Sequence, residues 1–210
     1  MKRFVSVLLL SSGLVVAGGT NAAVTVSIQQ SGSNVVVTTS GSLNTAALGP
    51  PMLVPGFTVG GTWPDIGYVL TGDNVAGDFF VSLPNSAVSP SYGSNYWGSG
   101  GNTAPSLSAG SLFSIEFDTP AVQLPVGYTT GTSLAGTATF SGQTLAGLGI
   151  TNLGTYTLTF GVTPNTDSVT VVISIAPAAV PSLSELAQLM LGLMVIGIAW
   201  HFHNNRQNSY

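Results

Sequence analysis

The string SVTVVISI at residues 168–175 carries an apolar side chain at every second position, with Thr170, Val172 and Ser174 between, and a period of two commits a segment to a β-strand. One face of that strand would carry Val169, Val171, Ile173 and Ile175. The same alternation in YTLTFGV aligns Tyr156, Leu158, Phe160 and Val162, and in VTVSIQ it aligns Val24, Val26 and Ile28. LFSIEF groups Phe113, Ile115 and Phe117 and turns Glu116 to the opposite, wet face. Between the two longest strands TPNTD supplies Pro164, Asn165 and Asp167, which favour a turn and predict a hairpin. Further strands are expected at residues 35–39, 79–83 and 137–140. No stretch before Val180 shows a helix-period stripe, and Thr and Ser fill outward positions where a helix would prefer Ala, Glu or Lys. The pattern predicts an all-β domain. One antiparallel β-sandwich of seven to nine short strands is the simplest closure, with a barrel or jelly roll also compatible.

Apolar segments flank this region. Lys2 and Arg3 precede an apolar run over residues 4–17, and the small residues Thr20, Asn21, Ala22 and Ala23 follow, as in a secretory signal peptide cleaved between Ala22 and Ala23. Near the other end, residues 186–202 would make about 25 Å of helix against a hydrocarbon core of about 30 Å. Extension back to Leu183 reaches that thickness and puts Glu185 and Gln188 at the outer interface, with Trp200 at the inner one. Leu189, Met190, Leu191, Leu193, Met194 and Val195 leave such a helix no polar face, unlike a helix docked on a domain. His201, His203 and Arg206 lie behind it, in keeping with the positive-inside tendency. The expected division is therefore a signal peptide at 1–22, an exported all-β domain at 23–179, and a terminal segment at 180–210 with a transmembrane helix at about 184–202.

Charge limits what the middle region can do. Residues 23–179 hold Asp65, Asp73, Asp78, Glu116, Asp118 and Asp167 but no Lys, Arg or His, so six acids and no cation give a formal charge of −6. Nothing there can neutralise phosphates, which excludes nucleic acid and anionic lipid headgroups as partners of this region. Internal salt bridges are likewise impossible. With no Cys in the chain and no His or Lys in the domain, thiolate, triad and Schiff-base chemistry have no residues to use, so no catalytic residue, cofactor or metal site is expected. Paired carboxylates, sufficient for glycoside hydrolysis, are the only catalytic option left. Asp73, Asn74 and Asp78 could ligate calcium, but they lack EF-hand spacing and suit turn-capping better.

Two stretches look irregular. Residues 48–64 contain Pro50, Pro51, Pro55 and Pro64, which cannot donate to a central ladder, and residues 84–111 are rich in Ser, Gly and Asn. Trp63, Tyr92, Tyr96 and Trp97 fall in these stretches. If exposed they could stack on saccharide rings, as in a carbohydrate-binding or adhesin module; if buried they would close or pack the sandwich.

Val180, Pro181, Ser182, Leu183, Ser184 and Glu185, followed by an apolar helix and Arg206, resemble the IPTL-CTERM variant of the PEP-CTERM sorting signals of exported proteins in Gram-negative bacteria. Pro181, Leu183, Ser184 and Glu185 match its IPTLSEWG-like motif, and Val180 and Ser182 are conservative replacements. Leu186 and Ala187 stand where Trp-Gly is usual, and Arg206 stands for the basic cluster. Leu148-Gly149, Gly154-Thr155-Tyr156, Gly161 and Asp167-Ser168 are similar to the stretch that precedes the signal in such proteins. The resemblance implies a membrane-anchored precursor recognised at the Pro motif by an exosortase-type peptidase, then a cell-surface or extracellular product. The resulting expectation is a non-enzymatic surface or matrix protein, with exopolysaccharide as the ligand class of the adhesin alternative.

Overall fold

The computed structural model describes residues 23–54, 61–73, 76–90, 96–176, 189–196 and 198. Its strands form two sheets. The seven-stranded sheet runs in the order β7 (Ala87–Ser89), β12 (Gly154–Val162), β13 (Asn165–Ile175), β1 (Ala23–Ser31), β2 (Asn34–Gly41), β11 (Leu134–Phe140) and β8 (Leu107–Gly110). The six-stranded sheet runs β3 (Met52–Val54), β6 (Gly77–Val81), β10 (Ala121–Pro125), β9 (Phe113–Glu116), β5 (Tyr68–Thr71) and β4 (Thr62–Trp63). The four longest alternating strings of the sequence all lie in strands, and β12 and β13 form the expected hairpin, with Val162 opposite Asn165.

The inner faces share one core. Val26, Ile28 and Leu158 from the larger sheet meet Ile115, Val122 and Leu124 from the smaller. Each such side chain contributes roughly 1.5–3 kcal/mol by leaving water. At one point the two sheets are also joined by a polar contact: the hydroxyls of Thr39 and Thr71 lie 2.7 Å apart, buried.

Several expectations need correction. The sandwich is not antiparallel throughout, because β1 runs parallel to β13 from Ala23 opposite Ser168 to Gln30 opposite Ile175. Parallel neighbours need a crossover, and here nearly the whole domain is that crossover. Among the described residues there are thirteen strands rather than seven to nine, since both irregular stretches contribute short ones, β3 and β4 in the first and β7 and β8 in the second. Each of these four short strands lies at the edge of its sheet. Val162 and Ile175, expected in the core, sit at strand ends and are exposed. Glu116 is half-buried rather than wet, because β9 is an interior strand whose outer face is largely covered: Ser114 on that face is buried as well.

Parallel pairing also fixes where the chain enters and leaves. Ala23 starts β1 at one pole of the sandwich, and β13 ends beside Gln30 at the other, where the Ala176 N–H donates to the Gln30 carbonyl at 2.9 Å. The first compact unit closes at Ala176, and residues 177–210 form a second. In that second unit residues 189–196 are helical, with exposed apolar side chains. Among the described residues no helix is long and apolar enough to cross a membrane. The signal-peptide residues 1–22, with Ala22, the motif Val180 to Glu185, and Arg206 lie outside the described residues.

Candidate functional site

The six carboxylates do not gather. No group of three His, Cys, Asp or Glu that could hold a metal exists among the described residues. Asp78 Oδ2 accepts from the Gly127 N–H at 2.8 Å, which is turn-capping, and Asn74 lies outside the described residues. Asp167 is a structural clip: Oδ2 accepts from the Asn44 N–H at 2.6 Å and Oδ1 from the Ser168 N–H at 2.7 Å. Burial pushes its carboxyl above the usual range, against the pull of those two donors. Glu116 is pushed up too, by burial first, with the Thr119 N–H opposing and the Asp118 charge adding. Tyr68 is pushed up to about 12, chiefly by burial. Asp65 sits in a short 3-10 helix at Pro64–Ile66 and Asp73 follows β5, and their N–H groups donate to the carbonyls of Gly100 and Gly110.

The loop aromatics divide. Trp97 is 0% exposed and Tyr96 is 9% exposed. The Trp97 ring packs edge-on against Phe117 at 5.7 Å and Tyr156 at 6.3 Å, and Tyr96 lies 6.1 Å from Phe117. Backbone contacts lock the plug in place: the Trp97 N–H donates to the Pro64 carbonyl, and the Trp97 carbonyl accepts from the N–H groups of Thr151 and Asn152. Glycine makes this approach possible. At Gly98, with φ of +148°, a Cβ would fall 1.9 Å from the Gly149 carbonyl oxygen. Trp63 keeps 39% exposure, and Tyr92 lies outside the described residues. Trp97 therefore has no face to offer a sugar, and Trp63, Tyr96 and Trp97, the ones among the described residues, do not form one exposed platform.

What the structure brings together instead is a surface of hydroxyls. On the outer face of the seven-stranded sheet, strand register places Ser89, Thr157, Thr170, Thr25 and Ser40 side by side in one row crossing β7, β12, β13, β1 and β2. The hydroxyls of Thr157 and Thr170 are 3.3 Å apart. One step along the strands, Thr159 pairs with Ser168; one step the other way, Ser27, Thr38 and Thr137 are neighbours. These side chains are exposed or half-buried, and no Asp or Glu stands on this face. A shallow cavity of about 170 Å³ indents one end of it, lined by Thr159, Thr166, Asp167 and Ser168.

Strand by strand, these Thr and Ser residues read as solvent-side fillers with good strand propensity. Only the lateral register, which pairs residues more than a hundred positions apart, shows that they line up. Comparison of the chain with family models, with curated proteins and with solved structures gives no match.

Proposed function

We propose that the chain is a non-enzymatic exported protein, directed to the cell surface or extracellular matrix through its terminal segment. Residues 1–22 act as signal peptide, and residues 23–179 form the exported domain. Residues 180–185 are the recognition motif, and a transmembrane helix at about 184–202 with Arg206 behind it holds the precursor in the membrane. The observation that carries this reading is the apolar helix at residues 189–196: Leu189, Met190, Leu193, Met194 and Ile196 are each more than half exposed, a state that water penalises and lipid does not. The domain's limits support it as well. Cleavage after Ala22 would begin the mature chain at the first residue of β1, and the first compact unit ends at Ala176, just ahead of the motif.

The test is the intact mass and membrane fractionation of the protein from its producing cell, with Pro181→Ala and Glu185→Ala variants alongside. The expected outcome is a chain shortened at both ends and released, while the variants stay in the membrane with the terminal segment attached. A mass that runs from Ala23 to Tyr210 in the inner membrane would sink the sorting step and leave a plain anchored protein.

A further inference from the structure

We propose that the outer face of the seven-stranded sheet is an ice-binding surface. This goes beyond the export reading and does not depend on it, because it concerns a face built by the domain's own strands.

The case rests on which partners the face can and cannot hold. It has no Lys or Arg, so phosphate-bearing polymers and anionic lipids gain nothing from it. It has no Trp, Tyr or Arg, the residues that anchor protein partners in desolvated pockets. Sugar sites stack rings on aromatic side chains and grip hydroxyls with amides or carboxylates, and the central rows provide neither. What these rows do provide is repetition of one neutral group. The backbones that carry Thr157, Thr170, Thr25 and Ser40 follow one another at the inter-strand spacing of about 4.8 Å, and successive outward residues on a strand are about 6.7 Å apart; the Thr157 and Thr170 hydroxyls lean together across their pair, 3.3 Å apart.

Those two repeats are close to the shortest repeats of the oxygen lattice in hexagonal ice. A sheet that repeats hydroxyl-bearing residues at this spacing can seat surface oxygens of a growing ice plane over the row, the paired Thr157 and Thr170 hydroxyls serving as one position. Each Thr methyl beside its hydroxyl covers backbone without competing for hydrogen bonds, so water over the face has few alternative arrangements. Sheet twist limits how many strands can lie in one plane, which places the contact on the four central strands β12, β13, β1 and β2 rather than on the edges. Their mutual pairing holds the hydroxyls in position before ice is met, and rigidity in the free state is what a crystalline partner rewards.

The experiment is ice-affinity partition of the full chain in a non-ionic detergent, with a detergent blank and an inert protein of similar size beside it. Two double variants disrupt the central row: Thr25→Arg with Thr157→Arg, and Thr25→Tyr with Thr157→Tyr. The Tyr pair suits a strand and so guards against simple misfolding. Asn102→Arg, on an exposed loop, controls for added charge. The expected result is that wild type and Asn102→Arg are enriched in the growing ice and slow its recrystallisation, while a double variant with wild-type circular dichroism loses both properties. Rejection of wild type from the ice to the same degree as the inert protein would overturn the proposal. So would equal enrichment of the double variants, or retention of ice-rejected wild type on a neutral glucan column through the same row, which would make the face a saccharide surface.

Discussion

At the scale of the residue, the interior contains polar groups whose partners decide their worth. Gln123 is 0% exposed in the middle of β10, with neither end of its amide hydrogen-bonded. A buried amide without partners costs free energy that an apolar side chain of similar shape does not. Gln123→Met is therefore expected to stabilise the domain by about 1–2 kcal/mol, read as a higher Tm; a lower Tm would mean that the amide has a partner such as ordered water. Thr39 is the opposite case. Its hydroxyl meets Thr71 across the two sheets, so Thr39→Val removes a buried hydrogen bond, leaves the Thr71 hydroxyl only its long 3.5 Å contact to the Phe113 carbonyl, and should cost about 1–3 kcal/mol in a denaturant titration. The Thr39→Val, Thr71→Val double variant should cost less than the sum of the singles, the mark of a direct pair. Neither contact was legible in the sequence. The strand β10 itself was not among the strands expected from the sequence, and the burial of Gln123 shows that the outer face of β10 is covered.

At the scale of the element, the long Ser- and Gly-rich stretch changes meaning once folded. Its composition read as a loop whose aromatics would either be displayed or pack the sandwich. In the structure the segment around Trp97 is a plug that fills one end of the sandwich, and the alternation of large rings with glycines is what lets it approach. Gly98→Ala should be damaging on two counts, a backbone conformation that L side chains rarely adopt and a clash with the Gly149 carbonyl, at roughly 1–3 kcal/mol or more. Tryptophan fluorescence should shift to the red as Trp97 meets water. An unshifted spectrum with unchanged Tm would show that the plug is not held as described. Edge strands were also hidden from the sequence: β3, β4, β7 and β8 have two to four residues each, too few for a period to be read.

At the scale of the whole molecule, a domain with six acids and no cations has a one-sided response to pH. The folded pKa values of Asp167 and Glu116 are raised above their ordinary 3.8 and 4.5, so between the unfolded and folded values the native state binds more protons than the unfolded one. By linkage, stability then falls as pH rises through that window and recovers as pH is lowered. Repulsion among the remaining carboxylates acts in the same direction at low salt. The Tm should therefore be higher near about pH 5 than at pH 7, and Glu116→Gln should flatten the difference. A Tm that drops on mild acidification would contradict it.

The sequence by itself determined the all-β class, the positions of the long strands, the hairpin between β12 and β13 and the inward side chains of those strands apart from Val162 and Ile175 at their ends, because each depends on residues a few positions apart. Its composition likewise settled the absence of salt bridges within the domain. Only the tertiary structure decided that β1 lies parallel beside β13, that Trp97 is core and that the outward hydroxyls of five strands form one row. The physical reason is common to all three. A strand's own pattern tells which face is apolar, but its neighbours, its register and what covers its other face are set by contacts between segments far apart in the chain, which no local period records.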